Sequence, residues 1–356
     1  MKNEDRKPKG RVRKFIANFG WPRIIIAIFL LILFVIAPFI GIDVGTSLSD
    51  MLVRVGMNGI LVLAMVPMIQ SGCGLNFGLP LGIIAGLVGA VTSMEYNWQG
   101  LFGFGMAVLF AIPLAVLLGV MYGYFINMAK GDEMMIGTYV GFSMVALMSM
   151  MWLRLPYRNP LLVWGFSGTG LRTTISLTGF WMKVLDNFLA IRIGPRFFFP
   201  TGSFIFFALC CVLVWAFFKT KTGIAMSAVG SNPQFARAHG VSVDRMRIVS
   251  VVLSTVLGAV GMVVYEQSYG FVQLYMGPLY MAFPAVAAIL LGGATINSAA
   301  ISNVVIGTFL FQGILTMTPS VINGMLKTDM AEVIRILVSN GMILYALTRK
   351  GKGTVK

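Results

Sequence analysis

The chain has 356 residues, 58% of them hydrophobic and only 11% charged, with a mean hydropathy of +0.87. A soluble globular domain carries about a quarter charged residues, so the composition excludes a soluble globule and gives a polytopic membrane protein, all-α, with about ten transmembrane helices. The net charge of +15 does not indicate nucleic acid: eight of the 27 cationic residues lie before Ile24, most of the rest lie in loops and the C-terminal tail, and no basic run is interleaved with aromatics for base stacking. The charge instead reports topology and contact with anionic membrane lipid.

Residues 1–23 are polar and basic and form a cytoplasmic N-terminus. The apolar run 24–40 follows a basic stretch as in a signal peptide, but no small-residue cleavage site comes after it, so it is a retained first span. Span two, 51–70, ends at Ser71-Gly-Cys-Gly-Leu-Asn-Phe-Gly-Leu-Pro80. Three glycines and a proline there break the helix, and a broken backbone survives in hydrocarbon only inside the bundle.

Span three, 79–92, carries Gly82, Gly86 and Ala90 at four-residue spacing, a stripe for close helix approach. Residues 95–99 make an outer loop with Trp98 at the interface. Span four, 101–128, has a proline at 113, and span five is 134–153. The long connection 154–201 holds six cationic residues and one acid, yet span parity puts it outside, with short surface helices predicted around 176–189. Span six is 203–218, span seven 248–265, span eight the short 281–291 before Gly292-Gly-Ala-Thr-Ile-Asn297, span nine 299–315 and span ten 333–347. The membrane domain is thus 24–348, both termini are cytoplasmic, and 349–356 form a cytoplasmic tail. Each half has a short span, a Gly-rich break and a small-residue helix (72–90 and 292–307), the loose internal repeat usual in transporters.

Between spans six and seven lies a polar island, 219–247, with Lys219, Lys221, Arg237, Arg245 and Arg247 against the single acid Asp244. The positive-inside rule places it in the cytoplasm. Asn232 suits a helix N-cap, Pro233 the first helical position and Gly240 a left-handed close, predicting a two-turn helix over 233–239. A second helix starts at Ser242, with Asp244 in its first turn, and runs into the apolar 248–264. A stiff knob standing out from a membrane body implies a docking partner.

No catalytic or metal site is expected. The phosphate-cradling G-x-x-x-x-G-K-[ST] is absent, Gly103-Phe-Gly105 and Gly168-Thr-Gly170 each lack the third glycine of a dinucleotide fingerprint, and Cys73, Cys210 and Cys211 give neither a disulfide framework nor zinc spacing. His239, the only histidine, ends the short helix, where it serves capping or docking. The 25 methionines are packing residues. The spans are nearly free of charge: Arg54 and Glu266 fall near outer ends and Glu332 with Arg335 at the start of span ten, which suits a neutral solute. Asn76, Phe77, Gly137, Thr138 and Asn297 stand at breaks where they either cap and pack or contact a solute.

The segment Ala228-Val-Gly-Ser-Asn-Pro-Gln-Phe-Ala-Arg-Ala-His-Gly-Val-Ser-Val-Asp-Arg245 resembles the coupling segment of ABC transporter permeases of the ribose/simple-sugar and branched-chain amino acid type, roughly A-x-G-x-N-x-x-A-A-x-x-x-G-I-x-V-x-R. Ala228, Gly230, Asn232, Ala236, Gly240, Val241, Val243 and Arg245 match it. The run from Ala282 to Thr295 looks like the family's later L-G-G-x segment, the break at 72–79 stands where the family has G-G-I-D-L-S-V-G, and Met135-Ile-Gly-Thr138 stands near its F-I-V-T-L-G. The similarity covers about 54–347. Asn76 occupies the place of the family's aspartate with no serine after it, and the 154–201 loop is longer than the family's, departures that bear on the solute.

The resemblance implies a type II ABC importer-like permease of the bacterial inner membrane, paired with a second permease as a homo- or heterodimer. It implies two ATPase subunits, which alone bind ATP and Mg, and an extracytoplasmic solute-binding protein. Gly230, Asn232, Pro233, Ala236, Arg237, His239, Gly240 and Arg245 would be the ATPase-coupling residues, and a simple sugar or nucleoside the solute. A branched-chain amino acid permease and a stand-alone secondary transporter are the alternatives; an intramembrane enzyme or receptor-like scaffold lacks a nucleophile with a base or a metal cluster.

Overall fold

The computed structural model describes residues 21–165, 170–194 and 196–326, and within 333–342 all but 335 and 339. The N-terminal 1–20, Gly168 and Thr169, Glu332, Arg335, residue 339 and the end of span ten from 343, and the 349–356 tail lie outside the described residues.

The chain starts with α1 (Trp21–Ile36), tightening into a 3-10 turn at Ala37–Ile40 that Gly41 closes with φ 81°. The Asp43 carboxylate accepts from Gly45 N at 3.0 Å and opens α2 (Val44–Leu63), seven residues before span two was expected. Pro67 has no N–H to donate to Leu63 O, and α2 passes there into α3 (Met65–Gln70), where Ala64 O accepts from the Ser254 hydroxyl at 2.5 Å. Then come α4 (Leu79–Glu95), α5 (Gly100–Met128) and α6 (Glu133–Met151).

The 154–201 connection differs from expectation. Its described residues hold one four-residue helix, α7 (Val184–Asn187), and three short strands, β1 (Thr174–Ser176), β2 (Ile191–Ile193) and β3 (Phe197–Phe199). β2 pairs with β3, while β1 pairs antiparallel with β4 (Phe271–Gln273), Ile175 opposite Val272. The pairing partner of β1 lies almost 100 residues downstream, which local periodicity does not reveal.

The second half comprises α8 (Thr201–Lys219), α9 (Lys221–Ser231), α10 (Pro233–Ala238), α11 (Val243–Tyr269), α12 (Gly277–Leu291) and α13 (Ile301–Leu326). Among the described residues seven helices are long and apolar enough to cross a membrane, and α4 and α12 are shorter apolar helices. The expected spans one to nine each coincide with one of these elements.

Two of the long helices form the centre. The best membrane window of Val44–Gln70 is 78% buried and that of Val243–Tyr269 67%, against 17% for α1 and for α6. Between lipid tails there is no hydrophobic gain in bringing helices together, so the centre depends on close backbone approach. A Cβ at Gly82 would stand 2.5 Å from Thr255 O, and one at Gly86 2.6 Å from Ala259 O. Gly89, outside the expected stripe, faces α5, its Cβ 2.3 Å from Ala107 O. The helix α4 is therefore wedged between α11 and α5.

At the end opposite the island, the extramembrane layer is pinned by Asp186, which is 1% exposed. Its Oδ1 accepts from Ser203 Oγ at 2.5 Å, Ser268 Oγ at 3.0 Å and Gln267 Nε2 at 3.2 Å, joining α7 to α8 and α11. Removing the acceptor strands buried donors. Asp186→Ala is expected to destabilise the protein by about 2–4 kcal/mol, seen as a fall in the unfolding midpoint in detergent, and an unchanged midpoint would refute this role.

Candidate functional site

The island is more ordered than its composition suggests. Thr220 Oγ1 accepts from Gly223 N at 3.2 Å and starts α9, a helix that the sequence reading passes over. Its signal was present: Gly223, Met226 and Val229, three residues apart, are its buried face.

The short helix α10 has the caps its residues suit. Asn232 Oδ1 accepts from Phe235 N at 2.9 Å, and Pro233 occupies the first turn. At the other end Gly240 takes φ +80°, Gly240 N donates to Arg237 O at 3.1 Å and Val241 N to Ala236 O at 3.0 Å, a Schellman close. Ser242 stands at the N-cap of α11 without a side-chain capping bond. Val229, Ala236 and Val243 form a small apolar centre of their own, with Val241 and Met246 packed on it, separate from the main core. Phe235 is 59% exposed, its ring 4.1 Å from that of His239, whose Nδ1 lies 2.9 Å from Phe235 O. Arg237, His239, Gly240 and Arg245 are exposed. The outer face of α10 is thus a rigid apolar and cationic surface.

Contact between the island and the bundle runs through the breaks. A Cβ on Gly230 would lie 2.1 Å from Gln70 O, and Gly72, with φ +76°, faces Gly230 Cα across 3.1 Å from its own Cβ position. Gln70 Nε2 donates to Ala299 O at 2.5 Å, joining the 71–78 break to the 292–300 break. The two breaks matched in the internal repeat therefore meet beside the island. Arg247, counted in sequence as a loop cation, is 7% exposed inside α11; it pairs with Glu133, and its Nε lies 3.3 Å from Cys73 Sγ. The signal for this trio was its place on the buried face of α11, with Val243, Ser250, Val251 and Ser254.

The five residues expected at the breaks do not converge. Asn76 is fully buried and engaged at both ends of its amide: Nδ2 donates to Ser254 Oγ at 2.7 Å, and Oδ1 accepts from Tyr122 OH at 3.3 Å. Gly137 is a contact glycine, a Cβ there falling 2.5 Å from the Tyr122 hydroxyl oxygen. Phe77 is half-buried against Phe283, ring centroids 6.0 Å apart, and Phe283 in turn lies 6.4 Å from the more exposed Phe142. Thr138, half-buried on α6, donates to Met134 O at 2.9 Å. Asn297 is exposed in a turn between the bridged residues Thr295 and Ser298. A cavity of about 230 Å³, lined by residues including Val66, Gln70, Trp215, Phe218 and Ala299, opens beside the island and includes none of the five.

The helix bounds place the two charges expected near outer ends differently. Arg54 lies ten residues inside α2, because Asp43 starts that helix early. Glu266 is 0% exposed, one turn before the end of α11, with no hydrogen-bond partner on either carboxylate oxygen. Glu266 thus keeps its expected place near a helix end, though buried, whereas Arg54 does not. Among the described residues no three His, Cys, Asp or Glu side chains come together to hold a metal ion.

The family described as branched-chain amino acid transport system / permease component matches residues 47–346. The autoinducer 2 import system permease protein LsrC of Escherichia coli O9:H4 (strain HS) is 28% identical over 222 residues, 58% of this chain and 60% of the relative. The nucleoside ABC transporter permease protein NupC of Lactococcus lactis subsp. cremoris (strain MG1363) is 30% identical over 208 residues, 56% of this chain and 60% of the relative. With LsrC of Enterobacter sp. (strain 638) the alignment is longer, 24% identity over 310 residues, 85% of this chain and 79% of the relative. The chain spans about 60% of the length of the first two of these relatives.

Proposed function

This chain belongs to the family of branched-chain amino acid transport system permease components, and we propose that it is the membrane subunit of an ATP-driven, binding-protein-dependent importer of a neutral small solute. The observation that carries the proposal is α10: two turns capped by Asn232 and Gly240, closed on their own apolar centre, and presenting Phe235, Arg237 and His239 outward. A membrane-embedded chain gains nothing from holding an apolar ring, a guanidinium and an imidazole rigidly in water unless a second protein covers them.

In this mechanism an ATPase dimer grips α10 from the cytoplasm, so that the island, both termini and the two breaks lie on the cytoplasmic side and the 154–201 layer faces the binding protein. Nucleotide-driven closure displaces α10. The close contact of Gly230 with Gln70 and Gly72 carries the displacement into the break that precedes Phe77, and the bundle alternates between outward and inward access. ATP and Mg are bound by the partner subunits alone, and a second permease, identical or related, completes the path against α6, the little-buried helix that holds Thr138 and Phe142. Phe77, Phe142 and Phe283 offer an aromatic surface for such a solute, whereas Asn76 acts by keeping the break in shape.

The solute we assign is a simple sugar or nucleoside, supported by relatives named for autoinducer 2 and nucleoside transport. The family's own description favours a branched-chain amino acid as the second reading. The test is to purify the chain from its native membrane with its neighbours attached and to titrate the accompanying binding protein with a ribonucleoside, a pentose and leucine. Retention of an ATPase subunit and binding of one of the first two is the expected result. Absence of any ATPase subunit, or uptake that persists without ATP and collapses with an ionophore, overturns the importer proposal.

A further inference from the structure

We propose that Arg247 is a positioning residue for transport: a buried guanidinium that fastens the start of α11 to both α6 and the 71–78 break, so that the three elements shift together when α10 is displaced. This inference rests on the importer mechanism above and names a second route for its motion, independent of the Gly230 contact.

The geometry is specific. Arg247 lies one turn into α11, at the last position of the island. Its Nη2 pairs with Glu133, the first residue of α6, and its Nε lies 3.3 Å from Sγ of Cys73, a residue 2% exposed within the break. The ion pair is enclosed, with side chains 8% and 17% exposed. The same turn of α11 holds the break a second time, through Ser250 Oγ and Ser71 Oγ at 2.7 Å. The neighbouring pair of Lys130 and Asp244, 2.8 Å apart, is by contrast 48% and 58% exposed and contributes little.

Burial makes the link discrete. An enclosed ion pair is either formed or leaves a charge uncompensated, at a penalty of several kcal/mol, whereas apolar packing of equal volume holds helices together as well or better. The pair is therefore a weak device for stability and a strong one for all-or-none registration of three elements. It also joins the two walls that carry Phe77 and Thr138, since Cys73 lies four residues before the first and Glu133 five before the second.

The experiment uses the whole complex, reconstituted in proteoliposomes with its ATPase and binding protein, and measures solute imported per ATP hydrolysed. The apolar pair Glu133→Leu with Arg247→Met keeps the volume and removes both charges. It is expected to assemble and to hydrolyse ATP within about twofold of the unaltered complex, while import per ATP falls at least about tenfold, the scale of a coupling free energy between sites. The exchanged pair Glu133→Arg with Arg247→Glu is expected to recover most of that loss. A milder variant, Arg247→Lys, keeps the charge but not the forked reach to Glu133 and Cys73 together, and is expected to fall between the two. Unchanged import per ATP in the apolar pair or in Arg247→Lys overturns the role of Arg247 and leaves the importer proposal standing. If the unaltered chain retains no ATPase subunit, the importer proposal itself fails.

Discussion

A chain carrying both Arg237→Glu and Gly240→Pro is expected to reach the membrane in normal amount and to support at least about a hundredfold less uptake, the upper range of a coupling free energy. The two changes act on different properties of α10. Gly240 holds φ +80° and its N–H donates to Arg237 O; proline fixes φ near −65° and has no N–H, so the helix loses its close and the chain its re-entry angle into α11. Arg237 is exposed, and reversing its charge alters the docking surface without disturbing a buried contact. The main core lies elsewhere, since α10 closes on Val229, Ala236 and Val243. Membrane insertion and thermal stability of the bundle should therefore be nearly unchanged. Uptake at the unaltered rate, or loss of the protein from the membrane, would each show that α10 is not a docking lever.

The second large effect is on assembly. Gly82→Ala combined with Gly86→Ala places methyl groups 2.5 and 2.6 Å from the carbonyl oxygens of Thr255 and Ala259, and backbone cannot move aside as a side chain can. Each change is expected to cost about 1–3 kcal/mol by overpacking, and together they take a large share of a total stability of about 5–15 kcal/mol. The measurement is the yield of monodisperse protein in detergent and its unfolding midpoint. Gly105→Ala is the control: it is exposed, nothing lies within 4 Å of its Cβ position, and the substitution is expected to be neutral or slightly stabilising. Equal behaviour of the control and the double variant would disprove the close seam between α4 and α11.

The membrane architecture and α10 were legible because both depend on local chemistry. Long apolar runs specify spans, and Asn232, Pro233 and Gly240 specify a two-turn helix through bonds made within ten residues. Where partners lie far apart in sequence, legibility ended. β1 pairs with β4 almost 100 residues downstream, Asp186 gathers donors from Ser203, Gln267 and Ser268, and Arg247 finds Glu133 more than a hundred residues upstream. Periodicity says which face of a helix is buried and not what it is buried against. The same limit applies to Asn76 and Gly137, which the residues alone leave between packing at a break and contact with a solute, and to Glu266: their packing against Tyr122 and Ser254, and the full enclosure of Glu266 in α11, depend on distant partners. The small-residue stripe was partly legible, with Gly82 and Gly86 found and Gly89, turned toward a different helix, overlooked.

The separate apolar centre of the island divides the chain's specifications between two sets of side chains. In the importer proposed above, substitutions at Phe235, Arg237 or His239 would retune which engine is recruited without touching the proposed solute-facing walls, and changes around Phe77 or Phe283 would retune cargo without altering the engine. Under that mechanism, adoption of a new solute would require no new motor.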